Sequence, residues 1–322
     1  MERFDTYMER CLYGPDGFYT THGVAGRGRG DFITSPEVGP LFGAVLANAL
    51  DAWWESAGRP DPWTVYDVGC GPNTLLKAIR KARPADERPW RLIGVDRARP
   101  DVPQTGAAPS DSATGVVERR SELPEDLTGA VVLGNELLDN LPFRIIERGT
   151  DGRWREVFVE GGEEQLMPTD ARLDIAAGAR APLLSEATRW CRSVIARRPS
   201  HVCLFDYGAA TTAELAKRGG WLRTYRKHQR GGDPLAEPGR WDITVDVAVD
   251  QLPAGAFVET QAGFLRRWGI DTLVHEGREH WRANAARPDL QAVAMRSRIS
   301  EAEALTDPDG LGSWLVIQLP SS

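Results

Sequence analysis

The apolar residues form two patterns along the chain, one typical of buried strands and one typical of helices. Short, largely apolar runs predict strands of a parallel sheet covered on both faces; they lie at residues 65–68, 90–95, 130–134 and 202–205, with a shorter run near 116–118. Amphipathic segments predict helices at residues 38–53, 75–82, 183–198, 261–268 and 289–305. Because strands and helices alternate, we expect an α/β fold with a doubly wound, mostly parallel sheet.

A β-rich section interrupts this order. Residues 143–147 and 154–159 flank the turn Asp151-Gly152 and predict a β-hairpin. Beyond residue 220 the sequence is β-rich and irregular, and residues 314–319 predict a closing strand, antiparallel at the sheet edge. We therefore divide the chain into four parts: an N-terminal lid and helix (1–60), a core (61–142 and 183–219), an inserted hairpin (143–182), and a substrate lobe with the last core strands (220–322).

The N-terminal segment differs in composition from the rest. Residues 1–30 are rich in glycine and aromatic side chains, which is typical of a loop or lid over a site rather than of a core element. Ser35 then has the position of a helix N-cap, Pro36 that of the first helical residue, and Glu37 that of a first-turn acid. Residues 97–115 are rich in Pro, Ala, Ser and Thr and predict a flexible connection.

Composition and charge narrow the classes of partner. The chain has 322 residues, is 41% hydrophobic, and carries 39 basic against 46 acidic side chains, a net charge of −7. This balance argues against a nucleic-acid partner held by a broad basic face. No apolar run reaches the roughly 18 residues of a membrane span, and the N-terminus lacks the apolar core of a signal peptide. A basic peptide or a small cationic molecule is compatible with the charge.

Cysteines and histidines give no metal site. The four cysteines are scattered without metal or redox spacing, which fits a reducing, cytoplasmic location. His275 and His280 are five residues apart, one more than in the zinc-binding H-E-x-x-H helix, and Gly277 is expected to interrupt the helix between them. We therefore expect no metal.

Polar residues stand where the predicted strands end. These positions are Asp67 with Gly69 and Gly71, Asp96, residues 135–139, and Asp206 with Tyr207. In open α/β sheets, ligands collect at the carboxyl ends of the strands. Helix capping explains any single one of these acids, but a polar residue at every strand end on one edge favours a binding site.

The glycine turn indicates the type of cofactor. A dinucleotide fingerprint needs a third glycine where Thr74 stands, and Asp67 would repel a pyrophosphate. The same acid suits S-adenosylmethionine, which has a positive amino group and sulfonium and no phosphate. Asp96 is placed to accept hydrogen bonds from ribose hydroxyls. Methyl transfer is thus favoured over a dehydrogenase, and other nucleotide-binding folds stay open at this stage.

Two carboxylates mark the acceptor side. Glu136 and Asp139 are three residues apart, which would place them on one face at the start of a helix. One interpretation is that the two carboxylates cap the helix start, where their negative charge offsets the helix dipole. The other is a clamp for a guanidinium beside the transferred methyl group, since carboxylates bind that plane in a bidentate manner.

The combined motifs resemble one known family. They are residues 30–37 (GDFITSPE), Asp67-x-Gly69-x-Gly71-x-x-Thr74, Asn135-Glu136-x-x-Asp139-x-x-Pro142, Asp206-Tyr207-Gly208, Gly232-Asp233-Pro234-Leu235 and Asp242-Ile243-Thr244. In this order they resemble the MidA-like S-adenosylmethionine-dependent methyltransferases, a family that includes a mitochondrial arginine methyltransferase. This chain has Asp67 where the family usually has Glu, and Asn73 where it usually has a third glycine. The segment after Asp96 also departs from the family pattern.

The resemblance implies a class I methyltransferase core with a Rossmann-like, doubly wound sheet, an N-terminal helical lid and an inserted β-containing substrate lobe. It implies that S-adenosylmethionine is converted to S-adenosylhomocysteine and that a protein or peptide arginine is methylated. The expected roles are as follows: Asp67, Gly69, Gly71, Thr74, Asp96, Ser35 and Glu37 bind cofactor; Asn135, Glu136 and Asp139 are catalytic; and Asp31, Phe32, Thr34, Asp206 and Tyr207 form the substrate side or lid. A small-molecule acceptor and a cofactor-binding assembly factor without turnover are the alternatives.

Overall fold

The computed structural model describes residues 1–21, 34–85, 87–97, 117–226 and 229–320. In chain order the strands are β1 (Glu2–Arg3), β2 (Trp63–Val68), β3 (Trp90–Val95), β4 (Glu118–Arg120), β5 (Val131–Asn135), β6 (Arg144–Arg148), β7 (Trp154–Glu160), β8 (Glu163–Pro168), β9 (Ala179–Leu183), β10 (His201–Asp206), β11 (Gly208–Ala209), β12 (Leu222–Arg226), β13 (Gln229–Arg230), β14 (Asp242–Val245), β15 (Val247–Ala248), β16 (Phe257–Thr260) and β17 (Leu315–Leu319). The helices are α1 (Phe4–Tyr13), α2 (Phe18–Thr21), α3 (Ser35–Val38), α4 (Pro40–Ser56), α5 (Thr74–Ala82), α6 (Ser185–Ala196), α7 (Thr212–Arg218), α8 (Gln261–Arg267), α9 (Ile270–Asn284) and α10 (Leu290–Thr306).

The core sheet has the strand order β16-β17-β10-β5-β2-β3-β4. Strands β10, β5, β2, β3 and β4 run parallel, whereas β17 is antiparallel to both β10 and β16. The chain fills the sheet outward from β2 on one side and then returns to β5 on the other, so a topological switch point lies between β2 and β5. This confirms the predicted doubly wound α/β fold. The predicted edge position of the closing strand is wrong, because the unpredicted β16 covers it.

Side chains of the core sheet alternate between two apolar layers. In β2, Val65 belongs to the layer formed with α4, α5, α8 and α9, whereas Tyr66 and Val68 belong to the layer formed with α1 and α6. The stripe on α4 includes Leu46 and Leu50, both at most 1% exposed. Burying each such side chain contributes roughly 1.5–3 kcal/mol to the stability of the fold, so α4 is firmly packed on its face of the sheet.

The N-terminal helix belongs to the core, which corrects the expectation that residues 1–30 hold no core element. Helix α1 buries Phe4, Tyr7, Met8, Cys11 and Leu12. Their i, i+3, i+4, i+7, i+8 spacing is that of an amphipathic helix. The glycine-rich composition that follows this segment obscured the pattern.

The start of helix α4 is capped from a distant part of the chain. The predicted helix is broken at Gly39 into α3 and α4, and the Leu41 N–H donates to Oε2 of Glu301 at 2.8 Å. A Cβ at Gly39 would lie 2.2 Å from the Glu301 carboxyl carbon, so glycine makes the approach possible. Ser35 is not the predicted N-cap: Thr34 has the cap position, and the Ser35 hydroxyl donates to Gln261 at 2.8 Å.

The predicted hairpin is part of a second, antiparallel sheet of order β1-β7-β6-β9, with β8 paired to β7. Two smaller sheets, β11-β15 and β13-β12-β14, follow the core strand β10. The four-part division of the chain stays a prediction. Helix α9 runs without interruption through Gly277, which corrects the expected break there. Within the described residues, no helix is long and apolar enough to cross a membrane, and no cluster of side chains suits a metal ion.

Candidate active site

The glycine turn after β2 brings backbone N–H groups to the end of the neighbouring strand β3. Gly69 and Gly71 have φ values of 72° and 47°, in the left-handed region that glycine adopts without strain. The Gly69 N–H donates to the carbonyl of Val95 at 2.8 Å, and the Gly71 N–H donates to Oδ2 of Asp96 at 3.1 Å. The turn and Asp96, both predicted as cofactor-binding, are therefore in direct contact.

Asn73 explains how the turn manages without its third glycine. Its φ of 62° and ψ of 30° are left-handed, a conformation that asparagine tolerates better than most residues. Its side chain packs against the backbone of Gly94, where a Cβ would lie 2.1 Å from Asn73 Oδ1. Thr74 follows as the first residue of α5 and is partly buried.

Arg119 joins the turn to the end of β4, a contact that the sequence did not indicate. Its Nη1 donates to the carbonyl of Gly71 at 2.8 Å, and its Nη2 lies 4.0 Å from Oδ2 of Asp96. The guanidinium is mostly buried, at 18% exposure. It thus holds both the turn and the carboxylate that is predicted to contact the ribose.

Asp67 lies buried at the end of β2, 3% exposed. Burial, with a smaller contribution from the charge of Asp96, raises its pKa from 3.8 to about 7. A positively charged ligand beside this carboxylate would favour its ionised form. The buried acid fits the amino and sulfonium charges of S-adenosylmethionine and would disfavour a pyrophosphate.

Residues 135–140, at the end of β5 and directly after it, form a turn and not the predicted helix start. We call them the acceptor loop, because they include the residues predicted to bind the methyl acceptor. The backbone N–H groups of Leu138 and Asp139 donate to Oδ2 of Asp206 at 2.9 and 3.3 Å, instead of joining a helix. The Glu136 N–H donates to the carbonyl of Phe205 at 2.8 Å, and Glu136 itself has a left-handed φ of 52°. The loop is therefore fastened to the end of β10.

Two buried acceptor atoms in this loop lack a partner among the described residues: Asn135 Oδ1 and Asp139 Oδ1. The other atoms of these groups are bonded. Asn135 Nδ2 donates to Oε1 of Glu136 at 2.9 Å, and Asp139 Oδ2 accepts from the Tyr207 hydroxyl at 2.5 Å. Buried acceptors without donors are costly, so the loop is suited to a ligand rich in N–H donors.

Burial raises the pKa of three carboxyl groups in this region, those of Glu136, Asp139 and Asp206. The pKa of Glu136 is well above its usual range because of burial and then the charge of Asp139, with smaller contributions from Glu37 and Asp242. The pKa of Asp139 is about 6, raised by burial and partly offset by the Tyr207 hydrogen bond. Burial and the charges of Asp139 and Glu136 raise the pKa of Asp206. The site favours positive charge.

Tyr13, Tyr19 and Asp242 lie next to the acceptor loop, although the sequence did not single them out as site residues. The Tyr19 hydroxyl lies 2.9 Å from Oδ1 of Asn140 and 3.0 Å from Oδ1 of Asp242. The rings of Tyr13 and Tyr19 stack at 5.5 Å. The aromatic richness of residues 1–30 was the available signal, but nothing in the sequence relates it to a strand 223 residues away.

The remaining predicted residues lie as follows. Thr34 and Glu37 are partly buried at α3, and the charge of Glu37 acts on Glu136. Ser35 is fully buried against Gln261. Asp31 and Phe32 fall outside the described residues. Tyr207 contacts the acceptor loop directly, and Asp206 does so through backbone N–H groups; the roles assigned to all of these residues stay predictions.

Comparison with known proteins decides the family. A family model described as "Putative S-adenosyl-L-methionine-dependent methyltransferase" matches residues 45–265, more than half of the chain. The chain belongs to this methyltransferase family. The predicted MidA-like resemblance and the predicted cofactor are thereby confirmed, and the matched span contains both the glycine turn and the acceptor loop of this methyltransferase.

Relatives and solved structures agree with this assignment. The methyltransferase is 26% identical to the mitochondrial protein arginine methyltransferase NDUFAF7 homolog of Drosophila melanogaster, over 75% of this chain and 63% of that protein. It is also 26% identical to the mitochondrial protein arginine methyltransferase NDUFAF7 of Danio rerio, over 83% of this chain and 72% of that protein. The chain thus spans less than two thirds of the length of the fly relative.

A crystal structure of a "likely methyl transferase" from Burkholderia thailandensis bound to S-adenosyl-homocysteine superposes on this chain with a TM-score of 0.77. The two are 25% identical, and the match covers 98% of this chain and 87% of that one. A native structure of a protein from the same organism gives a TM-score of 0.75. These matches confirm the predicted fold over nearly the whole chain.

Proposed function

We propose that this methyltransferase transfers a methyl group from S-adenosylmethionine to a guanidinium nitrogen of arginine in a protein or peptide. The observation that carries the proposal is the acceptor loop. It combines the carboxylates of Glu136 and Asp139 with two buried acceptors, Asn135 Oδ1 and Asp139 Oδ1, that have no partner in the described part of the chain. A guanidinium has five N–H donors and no acceptor, so it is complementary to such a set.

Residues at the glycine turn would hold the cofactor. S-adenosylmethionine supplies the methyl group on a positively charged sulfur. Asp67 would lie near the positive charges, and Asp96, held by the Gly71 N–H, would accept from ribose hydroxyls. Because methyl transfer is an in-line displacement, the protein contributes mainly alignment and charge stabilisation.

The acceptor loop would orient the nucleophile and accept its proton. A bond forms between the guanidinium nitrogen and the methyl carbon while the carbon–sulfur bond breaks and leaves its electron pair on sulfur. The nitrogen then loses one proton. Asp139 suits this step, because Tyr207 holds one of its oxygens and the other lacks a partner among the described residues. Glu136 would fix the plane of the guanidinium.

The names of the relatives support an arginine acceptor, since the fly and zebrafish proteins are both named protein arginine methyltransferases. The cellular location stays a prediction. The four cysteines are buried and form no disulfide with one another, in agreement with a reducing compartment, whereas those two relatives are named mitochondrial.

Label transfer from methyl-labelled S-adenosylmethionine tests the proposal. We expect the wild type to label arginine-containing proteins, and Glu136→Gln to abolish labelling while its affinity for the cofactor, measured by calorimetry, stays unchanged. Asp151→Asn is a suitable control, because Asp151 pairs with Arg153 and Arg155 of its own hairpin. No label on any arginine-containing protein would contradict the proposal. Equal labelling by Glu136→Gln and the wild type would remove Glu136 from the mechanism.

A further inference from the structure

The start of β14 contributes a further carboxylate to the acceptor side. Asp242 Oδ1 lies 3.0 Å from the Tyr19 hydroxyl and accepts from Asn140 Nδ2 at 3.2 Å. Asn140 directly follows Asp139, so these hydrogen bonds connect β14 to the acceptor loop. A second connection comes from the next residues of the strand, since the Val245 N–H donates to the carbonyl of Asp139 at 3.0 Å.

The charge of Asp242 affects the pKa values of neighbouring residues on the acceptor side. It contributes to the raised pKa of Glu136, after burial and the charge of Asp139. It also contributes to the raised pKa values of Tyr13 and Tyr19, for which burial is the largest cause. Asp242 is half-buried, so a ligand in the site could reach it. Among the described charged groups that act on these residues, Arg97 lies by Tyr13 and Arg223 by Asp139.

The tyrosine that holds Asp242 is itself braced from behind. The ring of Tyr19 stacks on Tyr13 with an interplanar angle of 19°. The Arg97 guanidinium lies 4.1 Å from the centre of the Tyr13 ring and pairs with Glu9 at 2.5 Å. Stacked aromatic rings and cation–π contacts limit the motion of the hydroxyl that faces Asp242. Because Arg97 directly follows Asp96, these contacts also connect Tyr13 and Tyr19 to the predicted cofactor-binding side of the site.

Given the arginine methyltransferase activity proposed above, on which this step rests, we infer that Asp242 is a third acceptor-binding carboxylate and that Tyr19 and Asn140 are its positioning residues. A guanidinium presents N–H donors around a plane, whereas an ammonium group is a compact point charge. Carboxylates at Glu136 and Asp139 can engage one edge of that plane, and Asp242 offers an acceptor to another. Asp242 thereby makes the site specific for guanidinium over ammonium.

Two measurements test this inference: steady-state label transfer to an arginine peptide, and calorimetric binding of N-acetylarginine amide in the presence of S-adenosylhomocysteine. We expect Asp242→Asn to raise the KM for the peptide and the Kd for the arginine amide about tenfold, the scale of one lost charge-assisted contact. The Kd for S-adenosylmethionine should stay unchanged. Tyr19→Phe should raise the same KM by a smaller factor. The double variant should be no worse than Asp242→Asn alone, because both act through one carboxylate.

Two control variants separate binding from general structural damage. Tyr7→Phe removes a hydroxyl that donates to the carbonyl of Pro234 at 2.6 Å, and Asp151→Asn removes a carboxylate in the β6–β7 turn. Both should leave the KM unchanged. An unchanged Kd for the arginine amide in Asp242→Asn, or no binding to the wild type, overturns the inference. Binding that depends on Asp242 without any label transfer instead overturns only the proposed catalytic function.

Discussion

The hydroxyl of Tyr207 lies 2.5 Å from Oδ2 of Asp139 and 2.7 Å from Oγ1 of Thr244. Tyr207 directly follows β10, Asp139 lies in the loop after β5, and Thr244 lies in β14, so one hydroxyl connects three separate segments of the acceptor side. The Arg223 guanidinium covers the Tyr207 ring at 4.4 Å and pairs with the buried Asp246 at 2.6 Å. Arg223 thus packs against the group that holds Asp139.

We predict that Tyr207→Phe shifts the pH dependence of methyl transfer. Burial raises the pKa of Asp139 to about 6, and the Tyr207 hydrogen bond opposes that rise. Without the hydroxyl, the pKa of Asp139 should rise further. If ionised Asp139 accepts the proton, the rate increases with pH through its pKa, and the acidic limb of the profile should move to higher pH in the variant. An unmoved limb in a folded variant would argue against Asp139 as the proton acceptor.

Asp67 should make both stability and cofactor affinity depend on pH. Its pKa in the folded protein is about 7, above the usual 3.8, so the folded state binds its proton more tightly than the unfolded state does. The stabilisation this provides is full below about pH 4 and is lost as the pH rises through 7, at about 1.4 kcal/mol per pKa unit at most. Asp67→Asn should flatten this part of the stability curve in chemical denaturation of the ligand-free protein.

The affinity for the cofactor should depend on pH in the direction opposite to that of the stability. A sulfonium cation favours the ionised carboxylate, so the affinity for S-adenosylmethionine should increase between pH 6 and 8, and proton release should accompany binding. Calorimetry in two buffers of different ionisation enthalpy measures that release. S-adenosylhomocysteine, which lacks the sulfonium charge, is the matched control ligand. Equal proton release for both ligands would show that Asp67 does not respond to the sulfonium.

Arg119 should matter for the cofactor and not for the acceptor. Its guanidinium contacts the Gly71 carbonyl and lies near Asp96, so Arg119→Met should weaken S-adenosylmethionine binding by about tenfold. The KM for the acceptor should stay the same. Arg120→Met is the matched control, since the neighbouring Arg120 is exposed and lies 4.0 Å from Glu118. Equal loss of cofactor affinity in both variants would point to a general effect of charge.

The contact between Asn73 and Gly94 predicts a mutational coupling. Gly94→Ala would place a Cβ 2.1 Å from Asn73 Oδ1 and 2.7 Å from Cys70 Sγ, and should therefore destabilise the protein by about 1–3 kcal/mol. Asn73→Gly removes the nearer clash and keeps a residue that adopts positive φ freely. The double variant should recover part of the lost stability in thermal unfolding. Strict additivity of the two single effects would contradict the packing described.

The core sheet could be predicted from the sequence because its strands are continuous apolar runs with polar residues at their carboxyl ends. Asp67, Asp96 and residues 135–139 come to one sheet edge for that reason alone. The turn at 135–139 was predicted as a helix start, because sequence spacing cannot reveal that Asp206 takes the backbone N–H groups of Leu138 and Asp139. Local pattern describes the strand end but not its long-range partner.

Other parts of the site depend on contacts between distant segments. Asp242 meets Tyr19 only because β14 and α2 pack on the same loop, and no periodicity in either segment indicates this. Arg119 lies on a short strand of three residues, too short for a reliable pattern. In contrast, the buried stripe of α1 was visible as Phe4, Tyr7, Met8, Cys11 and Leu12, and the glycine-rich sequence beside it led us not to expect a core element there.

The most direct test of the account uses two peptides that differ only in having arginine or lysine at one position. Each is incubated with the wild-type protein and methyl-labelled S-adenosylmethionine, then hydrolysed and resolved into free amino acids. The account predicts label in methylarginine from the first peptide and no label in methyllysine from the second. Label in methyllysine, or label in neither peptide while an uncharged acceptor is methylated, would contradict a guanidinium site at Glu136 and Asp139.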